Sequence, residues 1–150
     1  MGVGALHDFL RRHHRLALDT PIFIYQLESH LRYSSYTEHI FAWLEKPQSI
    51  AFTSTVTMTE LMVAPYRDDD EKRADEFFSL LSTYPNLAWI PADMGIANLA
   101  AQVRARYGLR TPDALQAATA IATQSSGLIT NDAVFERVEG FETMVLDRLR

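Results

Sequence analysis

The chain has no cysteine, which removes disulfides, thiolate catalysis and cysteine-ligated zinc and fits a reducing compartment. Lysine is almost absent: Lys46 and Lys72 are the only two among 14 basic residues, so the positive charge is nearly all arginine. Six glycines leave little material for a phosphate-cradling loop, and no G-x-x-x-x-G-K-[ST], G-x-G-x-x-G or G-x-S-x-G segment occurs. The five histidines show no H-E-x-x-H or comparable spacing, which argues against a histidine-bound metal. No apolar run approaches the roughly 20 residues a bilayer requires, and the first residues lack the apolar core of a signal peptide. The expectation is a cytoplasmic protein with no membrane partner. A formal net charge of −5 excludes a protein that coats nucleic acid by electrostatics alone. It leaves room for a nuclease whose own carboxylates inflate the negative count.

What is present is an ordinary globular composition, 47 % hydrophobic and 22 % charged over 150 residues, enough for one domain with a full core. Short apolar runs alternate with helix-like segments. Leu16-Ala17-Leu18, Ile50 to Thr53, Leu87 to Ile90, Leu128-Ile129 and Phe141 to Leu146 read as strands. Between them, helices are expected from Thr20, over Tyr36 to Glu45, through Glu60, after the acidic run Asp68 to Glu71, from Asp93 to Gly108, and from Thr111. Thr57 and Glu60 match a T-x-x-E capping box, and Thr20 and Thr111 are further capping candidates. Met1 to Arg15 reads as a short helix that ends in a basic cluster, Arg11 to Arg15, taken as a solvated helix end. Strands separated by helices imply an α/β fold whose mainly parallel sheet is covered on both faces.

Four carboxylates stand out by position. Asp19 and Asp132 each follow a strand, and Glu60 and Asp113 each lie near the start of a helix. In an open α/β sheet, ligands bind beyond the carboxyl ends of the strands, where all four can converge. Helix capping is the competing account of each acid taken singly. As a set, four nearby carboxylates would repel and carry raised pKa values unless a cation neutralised them. An oxygen-only donor set suits Mg²⁺ or Mn²⁺. Arg104, Arg106 and Arg110 approach the Asp113 end of the chain, and Arg110 and Arg104 are the candidates to meet a phosphate.

These segments resemble the PIN-domain ribonucleases, in particular VapC-like toxins of type II toxin–antitoxin systems. The resemblance rests on LALDTPIFIYQLE around Asp19, TSTVTMTEL around Glu60, and TPDALQAATA with GLITNDAVF around Asp113 and Asp132. It implies a PIN-like three-layer α/β/α sandwich with a five-stranded, mainly parallel sheet, in one domain over residues 1–150. It further implies a Mg²⁺- or Mn²⁺-dependent endoribonuclease in which Asp19, Glu60, Asp113 and Asp132 form the catalytic metal site. Thr130 and Asn131 are supporting residues on that analogy. The implied partners are RNA such as tRNA or rRNA, a cognate VapB-like antitoxin, and a second copy of the chain in a homodimer. Residues 1–15 depart from the family pattern as an N-terminal extension. The alternatives are a non-catalytic PIN-like binding module and a housekeeping RNA-processing or DNA-flap nuclease of the same fold. A phosphoacceptor signalling domain also clusters acids, but it normally needs an acidic pair at the first strand and a late lysine, and neither occurs here.

Overall fold

The computed structural model describes residues 2–149; Met1, at the head of the expected N-terminal helix, and Arg150 lie outside the described residues. Five strands, β1 (Arg15–Leu18), β2 (Ile50–Ser54), β3 (Leu87–Ile90), β4 (Gly127–Thr130) and β5 (Glu142–Val145), form one sheet in the order β3-β2-β1-β4-β5. All four pairings are parallel, with Ala17 opposite both Phe52 and Leu128 and Leu18 opposite Ile129. The chain lays β1, β2 and β3 outward on one side and returns to place β4 and β5 on the other. The topological switch point therefore falls between β1 and β4.

The helices are α1 (Gly2–Arg12), α2 (Thr20–Leu27), α3 (Ser34–Leu44), α4 (Thr55–Arg67), α5 (Glu71–Ser82), α6 (Met94–Tyr107) and α7 (Thr111–Ala122). The two-residue period of the strands divides the core between them. Leu16, Leu18 and Ile129 pack with residues of α1, α2 and α3, among them Phe9, Phe23 and Ile40. Ala17 and Leu128 point to the other face, onto Ile96, Ala100 and Val103 of α6 and the alanines of α7. The small side chains of α7 let its backbone lie close to the sheet. Alanine also has the highest helix propensity, so the same residues favour both the helix and its packing. Among the described residues no helix is long and apolar enough to cross a membrane.

Several local expectations are corrected. Helix α4 begins at Thr55, and its cap is Ser54, whose side chain accepts from Val56 N. Thr57 and Glu60 therefore lie inside the helix and form no capping box. Helix α2 is capped by Asp19, not Thr20, and α7 starts at Thr111 itself, so Arg110 occupies the cap position without a side-chain bond. Asp93 caps α6, and Gly108 closes that helix in the left-handed region at φ 74°.

The basic cluster that ends α1 is solvated at Arg11, Arg12, His14 and Arg15 but not at its centre. His13 is buried, with Nε2 at 2.7 Å from Glu142 Oε1 and Nδ1 at 2.7 Å from Ser126 Oγ. A carboxylate only accepts, so the ring donates to it from Nε2. Arg12 donates to the same Glu142 at 2.8 Å, and Arg15 donates to Thr123 O. Hydrogen bonds from His13 and then Arg12 hold the Glu142 carboxyl below its ordinary range. Together these contacts clamp α1 to the amino edge of the sheet. Gly127 fits the same contact: a Cβ there would lie 2.7 Å from Leu16 Cδ2 and 2.8 Å from Phe9 Cζ.

Candidate functional site

At the opposite, carboxyl edge, β1 runs into Asp19 and β4 into Asn131 and Asp132, on the two sides of the switch point. Asp19 is buried, yet its carboxylate is fully engaged. Oδ1 accepts from Thr20 N at 2.9 Å and Oδ2 from the Thr130 hydroxyl at 2.7 Å. Thr130 Oγ1 also accepts from Asp132 N at 3.0 Å, so one hydroxyl links the two acids across the strand pair. Asp132 in turn caps a 3-10 turn, Ala133–Arg137, by accepting from Val134 N.

Asp113 sits in the first turn of α7, half-buried, with Arg110 Nε 3.6 Å from its Oδ2. Glu60, on the exposed side of α4, accepts from the Thr20 hydroxyl at 2.6 Å. The four acids thus come from α4, the start of α7 and the ends of β1 and β4, and they sense one another. Burial pushes the Asp19 carboxyl from its ordinary 3.8 up to about 7; the Thr130 and Thr20 bonds oppose this, and the Asp113 and Glu60 charges add to it. Burial also raises Asp113; Arg110 opposes the rise, while Asp132 and Glu60 reinforce it. Among the described residues no three acidic or histidine side chains are arranged to hold one ion between them.

Beneath the acids lies a polar network that sequence reasoning missed. Thr20, Thr53, Thr57 and Gln116 are all buried. Thr53 donates to Leu18 O at 2.8 Å, Thr57 lies 2.8 Å from Thr53 and 3.1 Å from Thr20, and Gln116 donates to Thr57. Gln116 Oε1 accepts from Ser54 N at 3.2 Å, which ties the cap of α4 to α7. With the Thr20 proton on Glu60 and the Thr53 proton on Leu18 O, the Thr57 proton serves one of its two threonine neighbours. Every buried side-chain polar atom among the described residues is bonded. The available signal was a hydroxyl-rich run, Thr53 to Thr57, from the end of β2 into α4, together with a single amide, Gln116, among the small apolar residues of α7.

The other candidates divide. Asn131 is committed to structure: Nδ2 donates to Tyr25 OH and Oδ1 accepts from Asp147 N. Arg104 donates to Leu109 O and to Thr111 Oγ1, which ties the end of α6 to the start of α7. Arg106 faces Glu139 at 3.5 Å. Arg110 is the exposed cation beside the acids, its side chain 81 % accessible.

The model of the PIN domain matches residues 16–140. This chain belongs to the PIN domain family. Helix α1 precedes the matched segment, so the clamp at the amino edge joins a non-matching helix to the domain. A toxin–antitoxin complex from Klebsiella pneumoniae contains a similar chain, 27 % identical, covering 87 % of this chain and 97 % of that one at a TM-score of 0.63. DNA-bound VapBC from Salmonella typhimurium contains another, 18 % identical over 88 % and 98 % of the chains at a TM-score of 0.67. FitAcB from Neisseria gonorrhoeae aligns at 17 % identity, 89 % and 99 % coverage and a TM-score of 0.66. At those two identities the likeness is one of fold: the all-parallel, five-stranded α/β sandwich is a PIN fold. No curated protein sequence matches the chain.

Proposed function

We propose that this PIN domain is a VapC-like toxin, a Mg²⁺- or Mn²⁺-dependent endoribonuclease whose site is built from Asp19, Glu60, Asp113 and Asp132. The observation that carries this reading is the electrostatic coupling of four acids at the switch point of the sheet, the position at which open α/β folds bind ligands. The donor set fits a hard divalent cation. It is oxygen only, burial and the neighbouring acids raise Asp19 and Asp113, and Mg²⁺ is commonly held by one or two carboxylates with water completing the octahedron. Three carboxylates closed around the ion are therefore not required. A bound ion would supply an acidified water and neutralise charge on the phosphoryl oxygens.

The chain's own groups have distinct tasks. Thr130 and Thr20 N orient Asp19, whose raised pKa keeps much of it protonated at neutral pH until a cation or another positive charge arrives. Thr20 sets the Glu60 carboxylate, and the Thr57–Gln116 pair beneath fixes Thr20. Arg110 partly offsets the negative field at Asp113 and is exposed enough to turn to a backbone phosphate.

For partners, the Klebsiella pneumoniae relative, a chain of a toxin–antitoxin complex, supports a VapB-like antitoxin. The exposed apolar side chains Val63, Tyr66, Phe78 and Leu80 on α4 and α5 support a contact surface for that partner or for a homodimer. The test is incubation of purified protein with total RNA in Mg²⁺ or Mn²⁺, beside EDTA and an Asp113→Asn variant. Discrete fragments that disappear with the chelator and the variant are expected. Fragments that persist in both would overturn the assignment, and no cleavage of RNA or of single-stranded DNA by a protein that binds Mn²⁺ would leave the binding-module reading in its place.

A further inference from the structure

A second site stands apart from the carboxylates, between α1 and α3. A cavity of about 230 Å³ is lined by His7 and Arg11 from α1 and by His39 and Lys46 from α3 and the turn after it, with Leu10 and Trp43 among its apolar walls. No carboxylate lines it among the described residues, although the chain carries five more acids than bases. One of the chain's two lysines is here. The two imidazoles meet across the gap, His7 Nε2 lying 3.0 Å from His39 Nδ1 with ring centroids 4.7 Å apart. Arg11 is paired with Asp8, which sits outside the cavity, and its side chain is 71 % exposed.

Part of this has an ordinary explanation. Arg11 and Lys46 lie at the carboxyl ends of their helices, where the dipole favours cations. That account covers neither the histidines, which lie at least a turn earlier on both helices, nor the open volume between the four groups. Imidazole, guanidinium and ammonium groups converging on one space can each donate hydrogen bonds to an anion. An aromatic wall beside them suits a planar ring.

We propose that this cavity binds a phosphate group, either that of a free nucleotide or that of an RNA strand. It lies at the amino-edge side of the sheet, and three of its seven lining residues come from α1, which the family match leaves out. The proposal does not depend on the ribonuclease reading.

The test titrates full-length Asp113→Asn protein, which cannot consume RNA if the function above holds, with inorganic phosphate, AMP and a short single-stranded RNA. Histidine ring signals in NMR and calorimetry report binding. Lys46→Glu and His7→Gln are compared with Lys72→Glu, which changes the net charge equally on α5. Both pocket positions are solvent-facing, and circular dichroism checks that each variant folds. The expected result is saturable binding of at least one probe that weakens at least tenfold in Lys46→Glu and in His7→Gln and holds within twofold in Lys72→Glu. A response to phosphate or AMP assigns a free nucleotide; a response to RNA alone assigns a strand. Equal losses in Lys46→Glu and Lys72→Glu, or no saturable binding of any probe, would overturn the proposal.

Discussion

Replacing Asp19 with asparagine isolates the cost of burying an acid at the carboxyl edge. Unfolded, this carboxyl loses its proton near 3.8; folded, it holds it to about 7. Between those values the native state carries a proton that the unfolded chain lacks. The group's favourable contribution is therefore complete below the unfolded pKa and is lost as pH rises through the folded one. At about 1.4 kcal/mol per pH unit across the window, the penalty reaches about 4 kcal/mol by roughly pH 8. Asparagine keeps an oxygen for Thr20 N, and its amide N–H reverses the bond to Thr130 Oγ1, so the contact across the strand pair is kept without a charge. In a chain of this size the difference amounts to a melting-temperature gap on the order of 10 °C. Thermal unfolding of both proteins from about pH 4.5 to 8 should show curves within a few degrees at the acid end and Asp19→Asn increasingly more stable toward pH 8. Millimolar Mg²⁺ should narrow the gap at the alkaline end by stabilising the wild type alone. A gap that does not change with pH would refute the burial argument.

Other consequences follow from particular contacts. Phe9 is buried in the core under α1, so Phe9→Ala should cost about 3–5 kcal/mol in urea unfolding. A cost below about 1 kcal/mol would mean that α1 is not integral to the fold. Gly127→Ala pushes a methyl against Leu16 and Phe9 and should cost about 1–3 kcal/mol. The same change made in Phe9→Ala should cost less, a coupling that a double-mutant cycle reads directly. Gln116→Leu strands the buried Ser54 N and removes the donor to Thr57, with an expected loss of about 1–3 kcal/mol and slower RNA cleavage. Unchanged stability and rate would show that the network does not support the site.

The sheet was legible because each strand is a short apolar run bounded by turn or cap residues, and because helices between strands imply parallel pairing. The carboxyl-edge location of Asp19 and Asp132 follows from the same reading, since each comes within two residues of a strand's end. Helix starts were less legible. Ser54 and Thr55, Asp19 and Thr20, and Arg110 and Thr111 are neighbours, and side-chain chemistry alone does not say which of two adjacent residues keeps the extended backbone of a cap. The capping hydroxyls expected from Thr20, Thr57 and Thr111 therefore went elsewhere, two of them into the buried network. That network and the His13–Glu142 clamp join residues 59 and 129 positions apart. No local pattern encodes such pairs; they become visible only when the strand order brings the segments together.

The central claim is that four acids from separate segments act as one cation site. Calorimetric titration of Mn²⁺ at about pH 7.5 into the wild type and into Asp19→Asn, Glu60→Gln, Asp113→Asn and Asp132→Asn tests it most directly. Saturable binding by the wild type, weakened at least tenfold in more than one of the four variants, is the predicted result. Binding that is absent from the wild type, or equal in all five proteins, would contradict it.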